Sequence, residues 1–363
     1  MLASEVGQVS GRANLFRQSL EWLFPVDGKF SLRDRVWRAF APMIPLFWFK
    51  RLPSIIVMDV TNLCNLRCPV CPVTIAMNRK RGLLKPDIFH TIIDDFKGQK
   101  KKPAIYFNFS GEPTLNAALP EFVAYATENG HDTFLSTNAT KLTPELSERL
   151  IKAGLGKVYL CMDGFSKEAQ EAYRVRSNFD EVKANIEGFM AKRRELGASN
   201  PRSILQTLLT AYSEDQIEDI KVWAKETGLD QIRFKTFSLG SYTSPEEKRL
   251  GSRFLPKRKE HLRHPTEKER STCIIPTYQT VVFWNGDLGL CCIDYDQMIQ
   301  LPNVGDGFIS AYRSDEAARA RKRGYLKQFD ICKGCSLSNA EELGFRVDLR
   351  EKVQATGERQ PAV

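Results

Sequence analysis

Cysteines 64, 68 and 71 lie on one short run, Cys64-Asn65-Leu66-Arg67-Cys68-Pro69-Val70-Cys71. Three thiolates at CxxxCxxC spacing can ligate three irons of a [4Fe–4S] cluster and leave the fourth iron open to an exogenous ligand. An open position is what a catalytic metal site needs, as in catalytic zinc. On spacing alone, zinc and free buried thiols stay as alternatives. A second set, Cys273, Cys291, Cys332 and Cys335, ends in a CxxC pair. Four thiolates suit a structural zinc ion and a fully ligated cluster about equally well.

These residues need elements to bring them together. Between Ser54 and Phe237 the chain alternates β-rich runs with amphipathic segments. The expected strands are Ser54–Val60, Ala104–Phe109, Thr133–Thr137, Lys157–Met162, Ser203–Thr210 and Gln231–Phe237. Helices are expected between them. One carries Ile88, Phe89, Ile92, Ile93 and Phe96 on a single face; one starts at Thr143-Pro144-Glu145; one opens on a Ser213/Gln216 capping box and ends at Gly228. Six β–α repeats predict a parallel sheet with right-handed crossovers, closed or partly closed into a barrel. In parallel barrels functional groups collect where strands end. That edge carries the first three cysteines, then Ser110-Gly111-Glu112-Pro113, Ser136-Thr137-Asn138 and Asp163-Gly164.

The CNLRC core and CxxxCxxC spacing resemble the cluster loop of the radical S-adenosylmethionine (SAM) superfamily. Ser110-Gly111-Glu112-Pro113 resembles that family's GGEP motif, with Ser at the first position. The resemblance implies a partial (β/α)6 TIM-like barrel in an α/β fold, with Cys64, Cys68 and Cys71 holding a [4Fe–4S] cluster whose open iron chelates SAM. It implies reductive cleavage of SAM to a 5′-deoxyadenosyl radical. It also implies SAM contacts from Gly111 and Glu112 (amino group), from Ser136, Thr137 and Asn138 (ribose and carboxylate) and from Asp163 near cofactor or substrate. The family often has an aromatic residue before the third cysteine; here Val70 would meet the adenine without stacking.

The second cysteine set resembles the auxiliary-cluster domain called SPASM in its short, single-cluster twitch form. Gln279–Trp284 reads as a strand, Asn285-Gly286 as a type I′ turn, and Gly286 stands five residues before Cys291. The resemblance implies a second, fully ligated [4Fe–4S] cluster on Cys273, Cys291, Cys332 and Cys335, with Cys292 as a catalytic hydrogen donor or, if it is the ligand, Cys291 as the spare thiol. Asp294 is the candidate base. Cys161 reads as a small core residue.

The expected division is 1–52 N-terminal helical extension, 53–240 barrel, 241–272 linker, 273–345 auxiliary-cluster domain and 346–363 polar, frayed tail. In residues 1–50, Leu20–Phe24 and Val36–Phe40 could form amphipathic helices that cap the barrel or touch a membrane surface. Nine clustered cysteines in 363 residues and no signal-peptide pattern point to a reducing, cytoplasmic setting. The net charge of +9 comes without basic runs interleaved with aromatics, so no nucleic-acid partner is expected. The expected partners are a small-molecule or peptide substrate and a reductant such as flavodoxin or ferredoxin. The implied reaction is hydrogen abstraction from an unactivated carbon, ending in epimerisation by way of a Cys292 thiol, or in dehydrogenation with Asp294 as base and the auxiliary cluster as electron acceptor. The alternative outside enzymology is an iron–sulfur or zinc protein with structural cysteines.

Overall fold

A computed structural model describes residues 40–237, 245–262, 272–333, 335 and 344–350. Its strands are β1 (Ile55–Met58), β2 (Ala104–Phe107), β3 (Thr133–Thr137), β4 (Lys157–Cys161), β5 (Arg202–Leu209), β6 (Gln231–Thr236), β7 (Gln279–Val282), β8 (Leu288–Gly289) and β9 (Gly344–Asp348). They form one sheet in the order β8-β7-β1-β2-β3-β4-β5-β6-β9. Strands β1 to β6 pair in parallel and in chain order. The two edge strands, β8 and β9, run antiparallel to their neighbours, so the barrel stays open.

The crossovers are helical: α1 (Pro86–Asp94), α2 (Leu119–Glu128), α3 (Pro144–Lys152), α4 (Phe179–Glu195) and α5 (Ile217–Thr227). Helix α1 buries Phe89, Ile92 and Ile93, the stripe its periodicity predicts. Thr143 caps α3, its side-chain oxygen accepting from the Leu146 N–H at 3.2 Å with Pro144 following. Gly228 ends α5 in the left-handed region at φ 82°. The outer face of the sheet, through Ile56, Met58, Ile105, Phe107, Leu135, Val158 and Leu160, packs on these helices as the main core. The inner face alternates against it and carries Val57, Val281 and Phe283 with Tyr106 and Phe109.

Three local expectations need correction. Helix α5 starts at Ile217 without a side-chain cap. Ser213 instead closes the turn after β5, accepting from the Thr210 N–H at 3.1 Å, while Gln216 Oε1 accepts from the Phe165 N–H at 2.7 Å. The β7–β8 turn is not type I′: Gly286 has φ 89°, but Asn285 is not among the positive-φ residues, and type I′ requires both. The tail does not fray at Arg346, because β9 pairs with β6 from Gly344 to Asp348 and Phe345 stacks on Phe234 with centroids 4.8 Å apart.

The segment expected as a separate C-terminal unit feeds this same sheet, since β7 pairs parallel to β1. Helix α6 (Asp315–Tyr325) in turn receives the N-terminal residues. Phe49 packs on Tyr325, and Arg321 Nε donates to the Phe49 carbonyl at 2.8 Å. The expected helix Leu20–Phe24, and Val36–Phe40 except for Phe40, lie outside the described residues. No helix among the described residues is long and apolar enough to cross a membrane.

Candidate active site

The loop after β1 is tied down at every turn. Buried Thr61 donates to the Gly82 carbonyl at 2.8 Å, and buried Asn62 donates to the Lys80 carbonyl and accepts from the Gly82 N–H. Gly111 must be glycine here. Its φ is 73°, and a Cβ would stand 2.3 Å from the Thr61 carbonyl oxygen and 2.4 Å from that of Leu63. Next to it the Glu112 N–H donates to the Leu63 carbonyl at 2.8 Å. The Glu112 carboxylate is buried and accepts from the Thr137 hydroxyl at 2.6 Å and the Asn138 N–H at 2.8 Å. Asn138 reaches Asn65, between Cys64 and Cys68, at 3.1 Å, and Asn65 donates to Thr140 at 2.7 Å. Gly111, Glu112 and Asn138 therefore brace the cysteine loop from the ends of two neighbouring strands.

None of the nine cysteines is joined in a disulfide. Burial pushes the thiols of Cys64, Cys68 and Cys71 up, Cys68 to about 12. Metal ligation would release their protons. Backbone N–H groups already face two of the sulfurs, Leu66 toward Cys64 at 3.4 Å, and Val73 and Thr74 toward Cys71, as thiolate ligands of a cluster use them. Three such thiols on a braced loop fit an iron–sulfur cluster held by three ligands.

Sequence reading missed Arg174. Its Nε donates to Asp163 Oδ2 at 2.5 Å, and its charge acts on Cys64, Cys68 and Cys71. Burial works against the Arg174 charge, but Asp163 and Cys68 outweigh it and hold the guanidinium cationic. The buried Asp163 carboxylate also accepts from the Leu208 N–H at 2.8 Å, so it positions Arg174. The available signal was an arginine eleven residues after a strand-end aspartate. Two further inner-face residues meet at the end of β3: Ser136 Oγ and Cys161 Sγ are 3.5 Å apart, with Gln206 Nε2 donating to the same sulfur at 3.5 Å.

Val70 does not offer an adenine contact. It is fully buried, packed in a satellite core with Phe237 and Phe254, because the residues following β6 fold over it.

The second cysteine set gathers as expected. Cys273, Cys291, Cys292, Cys332 and Cys335 line one pocket of about 380 Å³, counting its open mouth, with Lys327 beside them. Burial pushes the Cys292 thiol up to about 11, Cys335 adding to the shift and Lys235 opposing it. Four of these thiols suit a fully ligated cluster, and one is left over.

Asp294 is not placed as a base. It has no exposed surface, and its two oxygens accept from the Met298 N–H at 2.7 Å and the Ile299 N–H at 3.3 Å. A base must reach the proton it takes; this carboxylate braces a loop.

A further polar group missed by sequence reading sits on the inner face at the end of β1. Buried Asp59 pairs with Arg79 at 2.7 Å, and Ser110 bridges them, accepting from Arg79 and donating to Asp59 at 2.6 Å each. Burial pushes the Asp59 carboxyl up against the pull of Arg79. Arg79 also ties this loop to the C-terminal region, its Nε donating to the Tyr295 carbonyl at 2.7 Å.

Two family models match the chain: the radical SAM superfamily over residues 58–224, and the SPASM iron–sulfur cluster-binding domain over residues 273–336. The chain belongs to the radical SAM superfamily. Its cofactors are accordingly SAM and a [4Fe–4S] cluster, and its SPASM domain brings auxiliary iron–sulfur. Among curated relatives it is similar to the tungsten-containing aldehyde ferredoxin oxidoreductase cofactor-modifying protein of Pyrococcus furiosus, at 27% identity over 48% of this chain and 49% of the relative. It is also similar to the Fe-coproporphyrin III synthase of Methanosarcina barkeri, at 32% identity over 36% of this chain and 35% of the relative. The chain thus spans half or less of the length of these relatives. Among solved structures, Streptococcus suis SuiB bound to S-adenosylmethionine superposes with a TM-score of 0.55 at 15% identity, covering 90% of this radical SAM chain and 82% of that one. BtrN in complex with AdoMet and 2-DOIA superposes with a TM-score of 0.52 at 19% identity, covering 81% and 94%. At such identities the structures establish the shared fold.

Proposed function

We propose that this radical SAM enzyme holds its catalytic cluster on Cys64, Cys68 and Cys71, and one auxiliary [4Fe–4S] cluster on Cys273, Cys291, Cys332 and Cys335. When bound, cluster and SAM together supply a 5′-deoxyadenosyl radical that removes hydrogen from an unactivated substrate carbon. The protein's part is to hold SAM and substrate in register and to keep water out. Arg174, fixed by Asp163 beside the three cysteines, is suited to the SAM carboxylate. Ser136, on the inner face at the end of β3, is assigned to the same cofactor. Gly111, Glu112 and Asn138 serve it by holding the loop.

The outcome we favour is epimerisation, with Cys292 returning a hydrogen atom to the opposite face of the substrate carbon. The observation that carries this reading is the fifth thiol in a pocket that needs four. The S–H bond breaks, a C–H bond forms, and the thiyl radical left on Cys292 is reset by one electron and one proton, with a flavodoxin- or ferredoxin-type reductant as electron source. Dehydrogenation is the second reading; with Asp294 engaged by backbone, it lacks the base first assigned to it. The substrate is a small molecule or a peptide, and the setting a reducing, cytoplasmic one.

The test is Cys292→Ala. The variant should keep full iron content and still consume substrate hydrogen, while epimer formation falls to background and solvent deuterium no longer enters carbon. Normal turnover in the variant would make the thiol inert and favour dehydrogenation. Loss of the auxiliary cluster would make Cys292 a ligand.

A further inference from the structure

On the inner wall of the barrel, two polar side chains that flank Asp59 each leave one buried atom unpartnered. The Arg79 side chain is 7% exposed. Three of its five N–H donors are used, two from Nη2 to Asp59 and Ser110 and one from Nε to the Tyr295 carbonyl, while Nη1 is buried without a hydrogen bond. On the neighbouring strand, Asn108 Oδ1 is likewise buried and unpaired. The two belong together. Met58 pairs with Phe107, so the next residues, Asp59 and Asn108, sit side by side on the inner face; Arg79 grips Asp59 directly and also Ser110, two residues past Asn108. A buried polar atom left unpaired costs about 1–3 kcal/mol, so a buried donor and a buried acceptor, both unpaired and both set beside Asp59, point to a ligand that supplies both partners.

Charge and shape narrow the class. Arg79 already faces a carboxylate, and both Asp59 oxygens accept donated hydrogen bonds, so the pair has no charge left for a second anion. The surroundings are flat: the guanidinium lies over the Phe283 ring at 4.8 Å, and one rung deeper Tyr106 stacks on Phe134 with centroids 4.3 Å apart and planes 6° apart. A planar, neutral group with an acceptor and a donor at fixed positions fits such walls.

We propose that Arg79 and Asn108 form a substrate subsite for an amide, its carbonyl oxygen taking the Arg79 Nη1 donor and its N–H meeting Asn108 Oδ1. This deepens the functional reading above and rests on it: the subsite serves that reaction only if substrate enters the barrel interior beside SAM. It favours a peptide, or another amide-bearing substrate, over a sugar or a carboxylic acid.

The experiment is crystallography of the anaerobically reconstituted holoenzyme with SAM, soaked separately with N-methylacetamide, acetate and glycerol. N-methylacetamide should appear between Arg79 and Asn108. Arg79→Lys, which keeps the charge beside Asp59 and removes the free donor, should lose the amide while SAM density stays unchanged. Acetate or glycerol in that place in preference to the amide, an ordered water bridging both atoms in its presence, or binding retained in Arg79→Lys would each overturn the proposal. Absence of SAM at the cysteine loop of the wild-type crystal would strike the functional reading instead, so the two failures are distinguishable.

Discussion

The side-chain nitrogen of Asn138 donates to the side-chain oxygen of Asn65 at 3.1 Å, joining the end of β3 to the middle of the three-cysteine loop. Asn138 is itself fixed, because its Oδ1 accepts from the Thr140 N–H at 3.0 Å and its N–H donates to Glu112. Asn138→Asp keeps the Thr140 contact but turns a carboxylate oxygen toward Asn65. We expect this variant to fold and to lose iron from the three-cysteine site, measured as iron per chain after reconstitution, with auxiliary iron retained. Unchanged iron would show that the loop holds its shape without this contact.

Replacing Cys64, Cys68 and Cys71 together by Ala should remove about half the iron, since each [4Fe–4S] cluster carries four. All 5′-deoxyadenosine formation should go with it, while a [4Fe–4S] spectrum from the second site persists. Residual SAM cleavage would break the assignment. Zinc at the second site in anaerobically prepared protein would break the auxiliary half of it.

Gly111→Ala tests the close approach of two loops. The left-handed φ alone costs a non-glycine residue about 1–2 kcal/mol. The added methyl also meets two backbone carbonyls that cannot rotate away. Thermal unfolding should therefore come earlier, and iron loading at Cys64, Cys68 and Cys71 should fall. A variant that loads iron normally would mean the backbone can open here at no cost to the site.

For Arg174 the decisive measurement is a split between SAM affinity and stability. Hydrogen bonds to charged groups contribute about 1.5–3 kcal/mol, so Arg174→Gln should weaken SAM binding roughly tenfold to a hundredfold. Arg174→Lys should recover part of that loss. If Gln and Lys bind SAM alike, the arginine serves only to satisfy Asp163.

His131 gives a pH signature unconnected with catalysis. It is buried, Nδ1 lies 2.8 Å from the Pro103 carbonyl, and burial lowers its pKa below the ordinary 6.5. Because the unfolded chain takes up the proton at higher pH than the folded one, the stability this site contributes is complete above about pH 6.5 and declines as pH falls below it. Melting curves from pH 7.5 to 5 should show that decline. His131→Gln should flatten it, and an unchanged slope would assign the decline to other groups.

Much of this was legible because it depends on period and punctuation. Alternation in β1 to β6 and the Thr143 and Gly228 signals are local properties, and each survives into the fold. Cysteine spacing likewise carried both thiol sets. What stayed illegible depends on residues distant in sequence. Arg174 matters through a cysteine loop about a hundred residues away. Asp294 has the right chemistry for a base, but its burial follows from a loop that closes on its carboxylate. Val70 disappears under Phe237 and Phe254, two residues that no spacing rule connects to it. The Ser213/Gln216 pair had capping-box residue types, yet each found a stronger partner outside the helix.

The parallel pairing of β7 with β1 also sets an order of events during synthesis. Ile55 pairs with Gln279, so β1 leaves the ribosome 224 residues ahead of the strand that covers its second edge. At about 5–20 residues per second, that edge waits roughly 10–45 s for its neighbour. Through that interval the nascent chain presents an unpaired apolar strand directly before three reactive thiols, the kind of edge that recruits other chains. A message cut short before codon 279 should thus yield insoluble protein instead of a smaller working barrel, and slow translation in a heterologous host should lower soluble yield well before it affects any single contact in the finished fold.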